Sequence, residues 1–429
     1  MEPSKTKNMV AVIGCGYVGL TTAACLAEFG HEVVGIETSK ERLEVLKDGR
    51  APFFEKNLDG LIEKGVSAGL LSFAETLESP ERVGVAFVCV PTPSSEDGSA
   101  NLTMVRSVIE RLSTQLSPES VIVLKSTVPV GTNAQVKRWM GRDDVYLVSN
   151  PEFLQAGRAV ETFQNPDRVV IGAENEEAGT QVAALYTGMD VTIVRTDPQS
   201  AELIKYASNT YLALRLSFVN TMATLCEKGG GDATSVLHAM GLDTRIGPAF
   251  LSPGPGWGGS CFPKDTRALA EVARSIGADA TLLEASLLAN ELRFEQVVAL
   301  INEAAGGDLS GKHIGVLGLA FKAGTDGLRE SPALAIVEGL IAQGATVTAY
   351  DPMVDKSPLK GVEVFSSPLE ATQGAVVTVV LTEWPEFAEM PLGELARTMG
   401  KNVLVDARGI ISARACADAG IKLHSVGKS

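Results

Sequence analysis

The chain begins with a polar stretch and then falls into a regular alternation. MVAVIG (residues 9–14) is a short apolar run rich in β-branched residues, which predicts a strand. The turn GCGYVG follows, and LTTAACLAEFG then carries apolar residues at helical spacing. GHEVVGIE supplies a second strand, closed by Glu37. Further strand-length apolar runs lie at 85–90, 121–125 and 145–149, separated by helical stretches. Strands alternating with helices predict an α/β fold with a parallel, doubly wound sheet.

The same plan returns after residue 310. HIGVLGLAF (313–321) reads as a strand entering a glycine-containing turn, ALAIVEGLIAQG as a helix, and ATVTAYD as a strand ending on Asp351. EFGHEVVGIE and AQGATVTAYD share one shape: a helix closed by glycine, a strand, and an acidic residue at its end. Two more strands fit 376–381 and 402–405. Between the halves, SAELIKYASNTYLALRLSFVNTMATLCEKGG keeps helical spacing over many turns and ends in glycines suited to a helix stop. The expected organisation is a nucleotide-binding sheet domain over 1–196, a helical region over 197–300 and a second sheet domain over 301–429. The long central helix reads equally as a dimer contact or as a linker.

Bulk properties narrow the function. A length of 429 residues fits two or three domains. No apolar run is long enough to span a bilayer. Residues 1–9 lack the apolar core of a signal peptide, so a cytoplasmic location is expected. A net charge of −15 argues against a nucleic-acid partner, which requires a phosphate-neutralising surface, but leaves room for one small anionic ligand. The six cysteines form no CxxC pair and no Cys/His cluster, so no metal site is expected.

Gly14, Gly16 and Gly19 spell G-x-G-x-x-G between a strand and a helix. In that context the first glycine permits a tight turn, the second lets a pyrophosphate approach the backbone, and the third packs helix on strand. Glu37, closing the next strand, suits a free ribose diol and repels a 2′-phosphate, which favours NAD over NADP. The plainer alternative is a structural turn without ligand. Three other strand ends run into distinctive loops, Pro91-Thr92-Pro93, Ser126-Thr127-Val128-Pro129 and Asn150-Pro151-Glu152-Phe153. Ligands of such sheets bind at this edge, although each proline alone is accounted for as a turn former.

The segment LSPGPGWGGSCFPKD is unlike its surroundings. Five of the six residues from 253 to 258 are glycine or proline, so the stretch is a loop. It ends at Cys261, and Pro263 starts a helix. A thiol near a helix N-terminus, with Lys264 beside it, is favoured as thiolate and hence as nucleophile. The other cysteines read as packing residues or, for Cys15, as part of the glycine turn. Asp265 either stabilises the helix start or positions a water. Lys205 and Asn209, four apart, share a helix face that is either a polar pocket or an exposed stripe.

With GCGYVGL, VCVPTP, LKSTVPVGT, NPEFL, ELIKYASNTYLA, GLDTRIG, GWGGSCFPKD, GLAFKAGTDGLRESPAL and YDP in this order, the chain resembles the UDP-glucose/GDP-mannose dehydrogenase family over nearly its whole length. The resemblance implies a four-electron oxidation with NAD, UDP-glucose to UDP-glucuronate, through a thiohemiacetal and a thioester on Cys261. It implies that Lys205 and Asn209 stabilise the oxyanion, that Asp265 and Thr127 hold and activate water, and that Glu152 is the catalytic carboxylate of the NPEFL loop. Gly14, Gly16, Tyr17, Val18, Gly19, Glu37, Pro91, Thr92, Thr127 and Arg329 match cofactor-contacting positions. Glu152, Phe153, Leu154, Lys205, Asn209, Phe250, Gly258, Phe321 and Lys322 match substrate positions. Arg245 matches an arginine that reaches substrate across a subunit interface, which implies at least a homodimer. The second sheet is implied to hold the nucleotide diphosphate of the sugar.

Three positions depart from the family pattern. Ala156 stands where the family carries a glutamate linked to thioester hydrolysis, Gly327 where an aspartate is common, and Gly409 where asparagine is usual. Within the family, GDP-mannose or a UDP-N-acetylhexosamine is the alternative substrate. Outside it, the competing readings are a two-electron hydroxyacid dehydrogenase and a nucleotide-sugar-binding protein with impaired catalysis.

Overall fold

In the computed structural model, which describes residues 9–95 and 98–428, the chain divides into two compact units, 1–208 and 209–429. The first unit holds β1 (Met9–Ile13), β2 (Glu32–Ile36), β3 (Leu71–Ala74), β4 (Val83–Val88), β5 (Val121–Leu124), β6 (Tyr146–Ser149), β7 (Arg168–Ala173) and β8 (Thr192–Thr196). They form one sheet in the order β3-β2-β1-β4-β5-β6-β7-β8. The first six follow the order 3-2-1-4-5-6 of dinucleotide-binding sheets. The sheet is not wholly parallel, because β7 pairs antiparallel to β6 and β8 runs with β7. Helices over Ala159–Gln164 and Glu176–Ala184 still separate β6, β7 and β8, so alternation alone does not report that the chain reverses direction at β7.

Both faces of this sheet are covered. On one face Val10, Val12, Phe87 and Val123 pack with Leu20, Cys25 and Leu26 of α1 (Tyr17–Glu28); on the other, Ala11, Ile13, Val88 and Ile122 pack with Val105, Ile109, Leu112 and Val136. Val136 belongs to α2 (Thr132–Met140). Full burial of each leucine contributes about 1.5–3 kcal/mol.

The second unit contains β9 (His313–Leu317), β10 (Thr346–Tyr350), β11 (Glu363–Val364), β12 (Val377–Val380), β13 (Val403–Asp406) and β14 (Lys422–Ser425). All pairings are parallel, in the order β11-β10-β9-β12-β13-β14, so the 3-2-1-4-5-6 arrangement recurs. A 32-residue helix, α3 (Pro198–Gly229), runs from one unit into the other. In the second unit α4 (Phe262–Ser275) and α5 (Thr281–Ala304) follow. The 209–304 segment belongs to the same compact unit as the second sheet, and Val219, Ala223, Val297 and Ile301 share its core with Val316 and Val379.

The likeness between the halves ends at the acidic strand caps. Asp351 accepts hydrogen bonds from the backbone N–H groups of Leu319 and Ala320 at 2.8 and 2.9 Å and from the Trp384 indole at 3.1 Å. Its carboxylate is spent on the turn after β9 and on Trp384. Gly318 lies so close to Thr382 that a Cβ there would sit 2.4 Å from the threonine side chain. The second sheet keeps the topology and has closed the turn that the first leaves open.

Candidate active site

The first-unit glycine turn has the geometry a dinucleotide requires. Gly14 takes φ +93°, a left-handed conformation that favours glycine. A Cβ on Gly19 would lie 1.9 Å from the Gly14 carbonyl, so only glycine lets the helix seat. A Cβ on Gly16 would meet nothing within 4 Å, which leaves open space over the N-terminus of α1. Glu37 is buried at the end of β2 and accepts from the Ser39 N–H at 2.9 Å, with Arg42 Nε 3.7 Å away. Tyr17, inside the turn, hydrogen-bonds Glu55. Burial, reinforced by that bond, pushes its phenol well above the ordinary range.

The strand-end loops of this unit are tied together. Thr92 Oγ1 donates to the Thr127 carbonyl at 2.8 Å, and Ser126 Oγ donates to the Val90 carbonyl at 2.6 Å. In the next loop Glu152 Oε1 forms an ion pair with Lys205 Nζ at 2.8 Å, both side chains almost fully buried, and Glu152 Oε2 accepts from the Leu154 N–H at 2.6 Å. Burial alone would raise the Glu152 carboxyl. The Lys205 ammonium, the Leu154 N–H and the nearby Lys125 outweigh it and hold the group below its ordinary value. Phe153 lies under the Arg168 guanidinium at 3.8 Å, with Lys205 Nζ 5.4 Å from the same ring.

In the second unit Cys261 is the residue that caps α4, with Pro263 in the first turn. Asp265, fully buried, accepts from Asn209 Nδ2 at 2.6 Å and pairs with Lys264 Nζ at 2.5 Å. Lys205 and Asn209 are therefore both buried, one turn apart on α3, and the exposed-stripe alternative is ruled out. Thiols elsewhere are suppressed: burial pushes Cys25 and Cys89 up to about 12, and Cys15 higher still.

The loop before Cys261 is held from behind by buried polar side chains. Gly254 donates its N–H to Asn220 Oδ1 at 2.9 Å and accepts at its carbonyl from Arg293 Nε at 2.9 Å. Trp257 donates its N–H to Asn290 Oδ1 and accepts from Asn290 Nδ2, while its indole donates to Ser217 Oγ at 2.8 Å. A Cβ on Gly258 would lie 1.9 Å from the Glu330 carbonyl, and one on Gly259 2.8 Å from the Phe321 ring. The glycines let this loop lie flat against its supports.

Further residues support or surround the site. Lys125 is buried with its Nζ 2.9 Å from Asn150 Oδ1 and fixes the turn that carries Glu152; burial pushes it down to about 8. Arg408 follows β13, donates to the Leu381 and Phe321 carbonyls, and lines a cavity of about 360 Å³ with Ser252, Pro253 and Lys428. Its position after a parallel strand's carboxyl end was the available signal. Phe250 takes φ +57° and is exposed. Arg245 is exposed and paired with Asp243, and Arg329 and the half-buried Lys322 lie in the loop after β9.

The three departures have local readings. Ala156 precedes Gly157, whose N–H donates to Tyr17 and Glu55, both at 2.9 Å, and Ala159 N–H donates to the other Glu55 oxygen. Glu55 thereby ties the 157–159 segment to Tyr17 of the glycine turn. A Cβ on Gly327 would press on Phe321 at 2.9 Å. Gly409 takes φ +69° with no obstruction, a conformation asparagine also tolerates.

Comparison with known proteins agrees with this geometry. Three family models match, all described as UDP-glucose/GDP-mannose dehydrogenase family: the NAD binding domain over residues 8–190, the central domain over 199–292 and the UDP binding domain over 315–413. The chain is 41% identical to a UDP-glucose 6-dehydrogenase of Rhizobium meliloti, over 98% of this chain and 99% of that protein. It is 39% identical to UDP-glucose 6-dehydrogenase TuaD of Bacillus subtilis, over 98% and 93%. A UDP-glucose dehydrogenase structure from Pyrobaculum islandicum superposes with a TM-score of 0.91 at 35% identity, covering 100% of this chain and 99% of that one.

Proposed function

The chain belongs to the UDP-glucose/GDP-mannose dehydrogenase family, and we propose that it oxidises the primary alcohol of UDP-glucose to the carboxylate of UDP-glucuronate, with Cys261 as nucleophile. The observation that carries this reading is Cys261 at the N-terminus of α4, beside the buried Asn209–Asp265–Lys264 network. NAD, held by the turn from Gly14 to Gly19 and by Glu37, supplies the hydride acceptor for both oxidations.

The chain's own groups do the rest. The Cys261 thiolate adds to the aldehyde carbon, forming a C–S bond and an oxyanion. Lys205 and Asn209, a helical turn apart, donate to that oxyanion. Loss of hydride from the resulting thiohemiacetal leaves a thioester. Water then attacks the acyl carbon, its proton passing to a carboxylate; the C–S bond breaks, and Cys261 leaves as thiolate. With Ala156 inert, the carboxylate that takes the water's proton in this reading is Glu152 or Asp265, with Thr127 holding the water. Arg408 and the cavity beside it support a diphosphate at the carboxyl edge of the second sheet.

The reading extends to a three-domain division at 1–196, 197–300 and 301–429, which the family-model boundaries support. It also includes a cytoplasmic homodimer; among the described residues no helix is long and apolar enough to cross a membrane. Tyr211, Phe218 and Leu225 recur every seven residues on α3 and are exposed, as are Leu282 and Leu288 on α5, a stripe that fits a second copy of this chain. A Phe218→Glu variant sedimenting at half the wild-type mass is the expected result.

Comparing kcat/KM for UDP-glucose, GDP-mannose and a UDP-N-acetylhexosamine tests the substrate. The proposal expects UDP-glucose to lead by at least about a hundredfold. A lead by either alternative would reassign the substrate and keep the chemistry.

A further inference from the structure

Glu202 lies on α3, three residues before Lys205, and is buried. Its carboxylate spans the start of α2: Oε2 accepts from the Gly131 N–H at 2.6 Å and Oε1 from the Asn133 N–H at 2.7 Å. A negative charge suits the N-terminus of that nine-residue helix. The loop leading into α2 carries Thr127. Ser126, Thr127, Val128, Glu202 and Lys205 line one small cavity.

The residues packed around the carboxylate from α2, β5 and β6, namely Thr132, Asn133, Leu124 and Ser149, are uncharged. The charged groups that face it are Lys205, on the wall of the same cavity, and Asp197, just before α3. Burial pushes the Glu202 carboxyl up, against the pull of the Asn133, Gly131 and Thr132 N–H groups and with a further push from Asp197, to about 7.

We propose that Glu202 is a positioning residue for the oxidation: its carboxylate holds the loop bearing Thr127 in register with the helical turn bearing Lys205, and its protonation releases that hold. This rests on the reading that Thr127 and Lys205 serve the reacting carbon and its water. As a carboxylate, Glu202 offers an acceptor to each N–H. As an acid, it points an O–H at one of them. One hydrogen bond is lost and the loop gains freedom, which lowers turnover without touching the dinucleotide turn.

Two measurements on the full-length protein test this. The first is hydrogen exchange of the segment 126–136, expressed as protection over the intrinsic rate, between pH 8 and pH 6. Protection at Gly131 and Asn133 is expected to fall on the order of tenfold, while that of β5 stays constant; constant protection at both amides would overturn the proposal. The second is the pH profile of kcat. Wild type is expected to lose activity towards acid with a midpoint near 7. Glu202→Gln is expected to be roughly tenfold slower and flat across that range, with KM for NAD little changed. An unaltered acid limb in Glu202→Gln overturns the proposal. Full activity in Thr127→Val would overturn the reading beneath it, whereas the exchange result concerns Glu202 alone.

Discussion

Asn209 donates to one oxygen of Asp265 at 2.6 Å while Lys264 holds the other at 2.5 Å, so both lone-pair sets of this fully buried carboxylate are engaged within one turn of Cys261. Asn209 on α3 and Lys264 in the first turn of α4 are thus fixed by a single acid. One turn earlier on α3, Lys205 is fixed by Glu152. The two anchors fix both polar side chains of this helix face.

Breaking the second anchor has a defined cost. Removing one partner of a buried ion pair leaves an uncompensated charge and costs about 3–5 kcal/mol, whereas removing both costs much less. Lys205→Met is therefore expected to unfold at lower denaturant than Lys205→Met/Glu152→Gln, and both are expected to lose kcat by roughly a hundred- to a thousandfold. The folded-state pKa of Glu152 lies below its ordinary value of 4.5. Its contribution to stability is present above that value and is lost as pH falls through the folded pKa. Denaturation followed from pH 7 to pH 3 should show this loss in wild type and not in the double variant.

Cys261→Ser should abolish release of free acid. An alkoxide forms its adduct and loses it far less readily than a thiolate, so steady-state turnover is expected to fall on the order of a thousandfold or more, with NAD binding intact. Retained turnover would remove the thioester from the mechanism.

Glu37→Ala should weaken NAD. A charged hydrogen bond to a ribose is worth about 1.5–3 kcal/mol, which is roughly ten- to a hundredfold in affinity. With Arg42 left 3.7 Å from the emptied position, NADP should be gained as NAD is lost. The ratio of KM values for the two cofactors measures this.

The cysteine loop depends on side chains that no motif marks. Arg293→Met deletes the donor to the Gly254 carbonyl, and kcat is expected to drop on the order of tenfold while KM for NAD stays constant. Partial recovery in Arg293→Lys would separate this from a simple loss of packing.

Legibility in the sequence followed the local character of each signal. The glycine turn and the helix after Cys261 are written in contiguous residues, and the conformations they require at Gly14 and Gly19 are present. Periodicity left Lys205 and Asn209 open because burial on a helix depends on what packs against it, and Glu152 and Asp265 come from remote segments. Arg293, Asn290, Lys125 and Glu202 escaped for the same reason: each acts through a loop far from it in the chain. Asp351 matches Glu37 in pattern, but the N–H groups of the turn after β9 and Trp384 occupy its carboxylate.

A four-electron oxidation has to survive Ala156. A limiting, known amount of UDP-glucose mixed with excess NAD and a catalytic amount of protein measures it directly, as NADH formed per sugar. Two NADH per sugar is the predicted result. One per sugar, with aldehyde as product, or a burst of two per active site followed by a stall at the thioester, would contradict it.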